Sequence, residues 1–175
     1  MIHPVIDPRQ LNFLIKLSRL PKNINAYGDR YNVVEFILHE LCDHDCLNVN
    51  KAAYFVDNHD FDCLHGVAGI DFEEKFLHND IWQVPDEFTK YMNQLHFNQK
   101  VKEVKVSSGK NNEQGSVDCI AGLADCLGMQ NVSYSVIPLK HDNHGLFLYE
   151  TKDHESIQEH DLINGLSLLA FCPLF

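Results

Sequence analysis

Asn131-Val-Ser-Tyr-Ser-Val-Ile-Pro-Leu139, Lys140-His-Asp-Asn-His144 and Gly145-Leu-Phe-Leu-Tyr-Glu-Thr151 form one continuous stretch, and its reading decides the fold class. The two outer runs are rich in β-branched and aromatic residues, which suit a pleated, half-buried strand. The polar segment between them holds Asp and Asn, residues that accept the backbone of a tight reversal. Strands joined so closely are antiparallel, because a parallel pair needs a crossover of about a dozen residues or more. A Rossmann-type sheet is thereby excluded.

The same pattern recurs upstream. Lys51-Ala-Ala-Tyr-Phe-Val-Asp57 and Phe61-Asp-Cys-Leu-His-Gly-Val-Ala-Gly69 read as strands joined through Asn58-His59-Asp60. Around the hairpins the apolar period switches to that of helices. Pro8 to Leu20 is predicted as an amphipathic helix ending at Pro21, followed by a loop from Asn23 to Asp29. Val33, Val34, Ile37, Leu38 and Leu41 recur at helical spacing, with Val33, Ile37 and Leu41 on the inward face. Pro85 to Phe97 opens on Pro-Asp-Glu and places Phe88, Tyr91, Met92 and Leu95 on one stripe. Val101 to Ser107 reads as a strand, and Ser107 to Gly115 as a surface loop. Ser116 to Leu127 reads as a helix capped by Ser116 and stopped at Gly128. A last helix runs from Asp153 or Glu155 to Phe171. The order implies an α+β fold, a central antiparallel sheet of about five or six strands flanked by helices. Residues 1–30 form an N-terminal helix and linker, and residues 31–175 the domain proper.

Composition narrows the function. The chain has 175 residues and a formal charge of −11, with 25 acidic against 14 basic residues. A phosphate backbone is repelled on average, so direct nucleic-acid binding is not expected. Lys100-Val-Lys102-Glu-Val-Lys105 alternates like a strand and carries too few charges to reverse that. No apolar run approaches the ~20 residues that span a bilayer, and the first residues lack the pattern of a signal peptide. Six cysteines are too sparse for a disulfide scaffold, which points to reduced thiols. No membrane association and a cytoplasmic location are the expectation.

Val33 to Leu41, Lys51 to Asp57 and Cys63-Leu-His-Gly-Val-Ala-Gly69, followed by Ser135-Val-Ile-Pro-Leu139, Gly145-Leu-Phe-Leu-Tyr149 and a closing helix, resemble a GAF domain of the GAF/PAS superfamily. The resemblance spans residues 30 to 171. With Ser18-Arg-Leu-Pro-Lys22 and the extended start, it is similar to the type that follows HDOD domains in bacterial signalling proteins. It implies a sensory or regulatory module, a homodimer joined through helices, and a pocket for a small molecule; it names no cofactor. The N-terminal helix, with Leu11, Leu14 and Leu17, and the C-terminal helix are the expected dimer surfaces. A second resemblance, carried by Trp82-Gln-Val-Pro85-Asp-Glu-Phe-Thr-Lys-Tyr91 and Leu123-Ala-Asp-Cys-Leu-Gly128, is to LuxR-type autoinducer-binding domains. Here Asn98 falls near the acidic residue that those domains use on an acyl-lactone amide, and no DNA-binding tail follows. A ligand-free interaction scaffold fits the same residues.

The candidate pocket is aromatic, as small-molecule sites often are: Tyr54, His65, Trp82, Tyr91, Tyr134, Phe147 and Tyr149. Alternation sends Tyr134 and Val136, and Phe147 and Tyr149, to shared faces. Core packing without a ligand accounts for the same rings. The sharpest polar cluster is His39-Glu-Leu-Cys42-Asp-His44-Asp-Cys46. If the helix persists to residue 46, then His39, Cys42 and Cys46 share a face, and imidazole with thiolate suits zinc. The spacing matches no standard zinc module, and a solvated or packed face explains it equally. Cys63 and His65 share a strand face, where a satisfied histidine is the commoner state. The sequence contains no Gly-x-Ser-x-Gly elbow, phosphate-binding glycine loop or His-Glu-x-x-His, so catalysis is not expected.

Overall fold

A computed structural model describes residues 8–28, 30–58, 60–74, 76, 80–107, 113–151 and 157–172. Among them are six α-helices and one five-stranded antiparallel sheet, so the fold is α+β with a central sheet. The strands are β1 (Val49–Asn58), β2 (Cys63–Asp71), β3 (Lys105–Ser107), β4 (Ser133–Pro138) and β5 (His144–Thr151), in the order β3-β2-β1-β5-β4. The helices are α1 (Pro8–Tyr27), α2 (Val33–Cys42), α3 (Pro85–Gln94), α4 (His96–Glu103), α5 (Glu113–Leu127) and α6 (Glu159–Leu166), and a 3-10 turn, Ser167–Phe171, follows the last. None is long and apolar enough to cross a membrane.

Both hairpins form, for the local reasons that their turn residues supply. Asn58 accepts the backbone N–H groups of Asp60 and Phe61 on its side-chain oxygen, which starts the reversal into β2. His141 and Asp142 take φ values of +59° and +57°, the left-handed pair that matches the twist of a tight hairpin. The register then fixes the faces. Tyr54 pairs with Phe147 and Ala68, and an extra residue in β2 shifts the pairing so that Phe55 stands opposite Gly66. Tyr54, Val56, Ala68, Ile70, Phe147 and Tyr149 bury toward α1, α2, α3 and α6. Ala53, Phe55, Leu64, Leu146 and Leu148 bury on the opposite side, against α4 and α5. Helices therefore cover both faces.

Strand β3 pairs with β2 only at residues 63–65, which leaves the rest of the β2 edge unpaired by any strand. Helix α4 covers it. Gly66 donates its N–H to the Val104 carbonyl, and Gly69 donates to the Asn98 side chain at 2.8 Å. The approach is close enough that a Cβ on Gly66 would collide with the Val101 backbone carbonyl, so only glycine fits there.

Several boundaries differ from those expected. Helix α1 passes through Pro21 and ends at Tyr27 instead of stopping at Leu20. Burial of Leu20 among Phe13, Leu41 and their neighbours in the main core offsets the missing N–H. The helix is thus part of the same core as the rest of the chain. The predicted helix 85–97 is two helices broken at Leu95, and residues 101–103 belong to α4, leaving only 105–107 as strand. Alternation of Lys100, Lys102 and lysine 105 imitates a strand, but Phe97 and Val101 lie four apart on the buried side of α4. Helix α5 starts at Glu113, so Ser116 lies inside it; Gly128, at φ +67°, ends it as expected. Helix α2 stops at Cys42, and it is buried on nearly every side rather than only along Val33, Ile37 and Leu41. The calculated starts at residues 153 or 155 of the last helix, His59 in the first turn, and the loop positions 108–112 lie outside the described residues.

Candidate functional site

The residues expected to line a pocket separate into four places. Tyr54, Phe147 and Tyr149 stand on one sheet face, deep in the main core, with the last two rings stacked at 5.3 Å. Trp82 and Tyr91 belong to the same core but to another group of rings, at the α2–α3 junction, where Phe36 lies 4.8 Å from Trp82 and 4.5 Å from Phe88. Tyr134 points away from both. It stands opposite Leu148 on β4, so it faces the other side of the sheet and is 52 % exposed. Tyr134 and Val136 share one face of the sheet, opposite Leu148 and Leu146, and Phe147 and Tyr149 share the other, so Tyr134 does not join those two rings in one pocket. His65 sits half-buried on β2 beside Lys105 of β3; burial first, and that lysine second, hold its pKa down.

Tyr54 carries the main polar anomaly of this interior. Its ring is fully buried, and among the described residues its hydroxyl finds no hydrogen-bond partner. Gly145, opposite Val56, leaves the space the ring needs: a Cβ there would strike the Tyr54 hydroxyl and Ile137. Burial raises the Tyr54 pKa well above the ordinary phenol value, so the group stays neutral.

The cluster His39, Cys42 and Cys46 is not gathered into a metal site. Helix α2 ends at Cys42, which places Cys46 in the following turn. Among the described residues, no three His, Cys, Asp or Glu side chains converge in a way that would hold a metal ion. Burial pushes the Cys46 thiol up to about 12 and the Cys42 thiol further, so both stay protonated at neutral pH. His39 packs edge-on against Phe88, with ring centroids 5.1 Å apart. Burial lowers its pKa to about 4, and its Nδ1 has no partner among the described residues. It is a neutral core imidazole at physiological pH.

A buried polar network went unforeseen in the sequence. Asn98 of α4 is wholly buried, and its amide nitrogen donates to the Glu35 carboxylate at 2.9 Å and to the Met92 carbonyl at 2.8 Å. Its oxygen accepts the Gly69 N–H. Glu35, itself buried, also pairs with Lys102. The position compared above with an acyl-lactone-binding acid is thus spent on tying α2, β2, α3 and α4 together. A charged residue inside the apolar run Val33-Val-Glu-Phe-Ile-Leu38 was the available signal, since a buried charge requires a partner.

At the surface, α1 has two characters. Phe13 and Leu20 anchor it to the core, while Leu11, Leu14 and Ile15 on its other side are 48 %, 58 % and 40 % exposed. Its twenty residues include Arg9, Lys16, Arg19 and Lys22 and no acid, in a chain of formal charge −11. Among the described residues, two clefts that open to solvent stand out. One, of about 630 Å³, lies between α4, β3 and α5 and is bordered by Val104, Val106, Cys119, Leu123 and Cys126. The other, of about 560 Å³, lies between α1 and residues 80–83, with Lys16, Arg19, Lys22, Glu40, Asp80 and Trp82 on its walls.

Compared with models of protein families, with curated proteins and with solved structures, the chain matches none.

Proposed function

We propose that this chain is a regulatory module of the GAF/PAS kind, not an enzyme, and that it signals through a helical contact between two copies. The observation that carries the reading is the exposed apolar row Leu11, Leu14 and Ile15, held outward on a helix whose opposite side is docked in the core. A row of this kind on one helix face suits a second helix. Charge favours a second copy as that partner. Two bodies this acidic repel one another over most of their surface, whereas α1 is locally basic and meets favourably not the partner's α1 but an acidic helix such as α6, with Glu159, Asp161 and the exposed Ile163. The regulated variable is the position of α1, and a ligand acts on it only through a difference in affinity between two arrangements.

The full burial of Tyr54 and Phe147 favours a signal that does not depend on a ligand inside the sheet core. The protonated thiols of Cys42 and Cys46 and the neutral, unpartnered His39 support a non-catalytic role. Sedimentation velocity tests the dimer directly. Wild-type protein is expected to self-associate, and Leu11→Gln/Leu14→Glu to run as a monomer with an unchanged circular-dichroism spectrum. A wild type that stays monomeric at every accessible concentration, or a variant that dimerises equally well, overturns the proposal.

A further inference from the structure

We infer that the cleft between α1 and residues 80–83 is a binding site for a small organic anion, a carboxylate or phosphate ester with an apolar body; as a regulatory ligand it rests on the reading above. The accounting of polar groups in the cleft is one-sided. Its carboxylates are used within the protein. Asp80 takes the Trp82 backbone N–H at 3.1 Å on one oxygen and the Gln83 side-chain amide at 2.9 Å on the other. Glu40 holds Lys16 at 3.3 Å, and Lys16 is further tied to Asp43 at 2.8 Å. The donors are not used up. Among the described residues, neither Arg19 nor Lys22 has a hydrogen-bond or ion-pair partner, and both line the cleft.

A site whose carboxylates are occupied and whose cations are free favours an anion, because a cationic ligand is repelled and a neutral acceptor gains only a weaker charge–dipole contact. The lining is not all polar. Leu20, Tyr27 and Trp82 supply an apolar wall, with the Tyr27 and Trp82 rings 5.7 Å apart and the Tyr27 hydroxyl bonded to the Trp82 carbonyl. A volume near 560 Å³ lies within the range of small-molecule sites, about 300–1,000 Å³. A bare inorganic ion would leave that wall uncovered, so a ligand with an apolar part is favoured. Such a ligand bridges α1 to the segment that leads into α3, and so bears on the helix that carries the exposed leucines.

Trp82 is the single tryptophan of the chain and reports on the site without a label. Phenyl phosphate serves as the probe, with inorganic phosphate as the bare anion and benzyl alcohol as the neutral body. Phenyl phosphate is expected to change Trp82 fluorescence saturably and to bind at least tenfold more tightly than either control. Arg19→Gln/Lys22→Gln is expected to weaken it tenfold or more while the circular-dichroism spectrum is kept, since both side chains are exposed and unpartnered. No saturable response, or equal affinity in the double variant, overturns the site. Sedimentation velocity with and without phenyl phosphate is a separate readout: binding without any change in association upholds the site and refutes only its coupling to the α1 contact.

Discussion

Replacement of Asn98 by alanine tests the physical claim at the centre of the fold, that α4 is fastened to the sheet by a satisfied polar network. The substitution orphans the Gly69 N–H and the Met92 carbonyl and takes one hydrogen bond from the buried Glu35 carboxylate. Each orphaned buried group costs about 1–3 kcal/mol, and a bond to a charged group contributes about 1.5–3 kcal/mol. Taking the low half of each range, because water enters the vacated space, the loss is about 4 kcal/mol. That is a large part of the ~5–15 kcal/mol that holds a domain together. In a domain of this size it corresponds to a fall in Tm of about 8–16 °C. Urea denaturation followed by circular dichroism measures it, and an unchanged m-value keeps the comparison two-state. A double-mutant cycle with Glu35→Gln should show coupling of about 1 kcal/mol or more, as residues in one network do. A loss below about 1 kcal/mol for Asn98→Ala would mean that α4 is held by apolar packing alone, and the account of the network would be wrong.

Three other outcomes are expected. Gly66→Ala should destabilise by more than the about 1–3 kcal/mol of ordinary overpacking, because it meets backbone at Val101, whereas Gly122→Ala, which meets nothing within 4 Å inside α5, should stabilise by about 0.5–1 kcal/mol in the same denaturation assay. His39 has a folded pKa near 4 against an ordinary 6.5, so the unfolded chain binds the extra proton first; stability is complete above pH 6.5 and falls as the pH drops toward 4, by about 3 kcal/mol in all. Asp43, Glu40 and Lys16 lie nearby, so the measured quantity is the difference in pH slope between wild type and His39→Phe; equal slopes refute it. Exposed Cys126 should react first with a thiol reagent, and buried Cys42 and Cys172 last, as peptide mapping after brief labelling would check.

Strand pairing and turn chemistry were legible in the sequence because they are local. Asn58 and the His141–Asp142 pair set their turns within a few residues, and the alternation around Tyr54 and Phe147 set the faces. What was illegible depended on contacts remote in the chain. Pro21 reads as a stop until Leu20 is seen to be buried by the core. Tyr134 reads as a pocket wall until its register with Leu148 turns it outward. Asn98 reads as a neighbour of a ligand-binding position until Gly69, 29 residues away, supplies its partner. Arg19 and Lys22 gain meaning only when Asp80, remote in sequence, is found with its oxygens already occupied.

The helix laid along the free edge of β2 has a consequence for solubility. An open edge is a template onto which another chain can add, and natural sheets shield such edges. Here the shield is α4, fixed by one amide and two glycines rather than by a neighbouring strand. Any local opening that lifts α4 presents residues 66–71 to solvent while the rest of the fold stays intact, so the rate of fibrillar growth should follow the stability of that helix and not the global unfolding free energy.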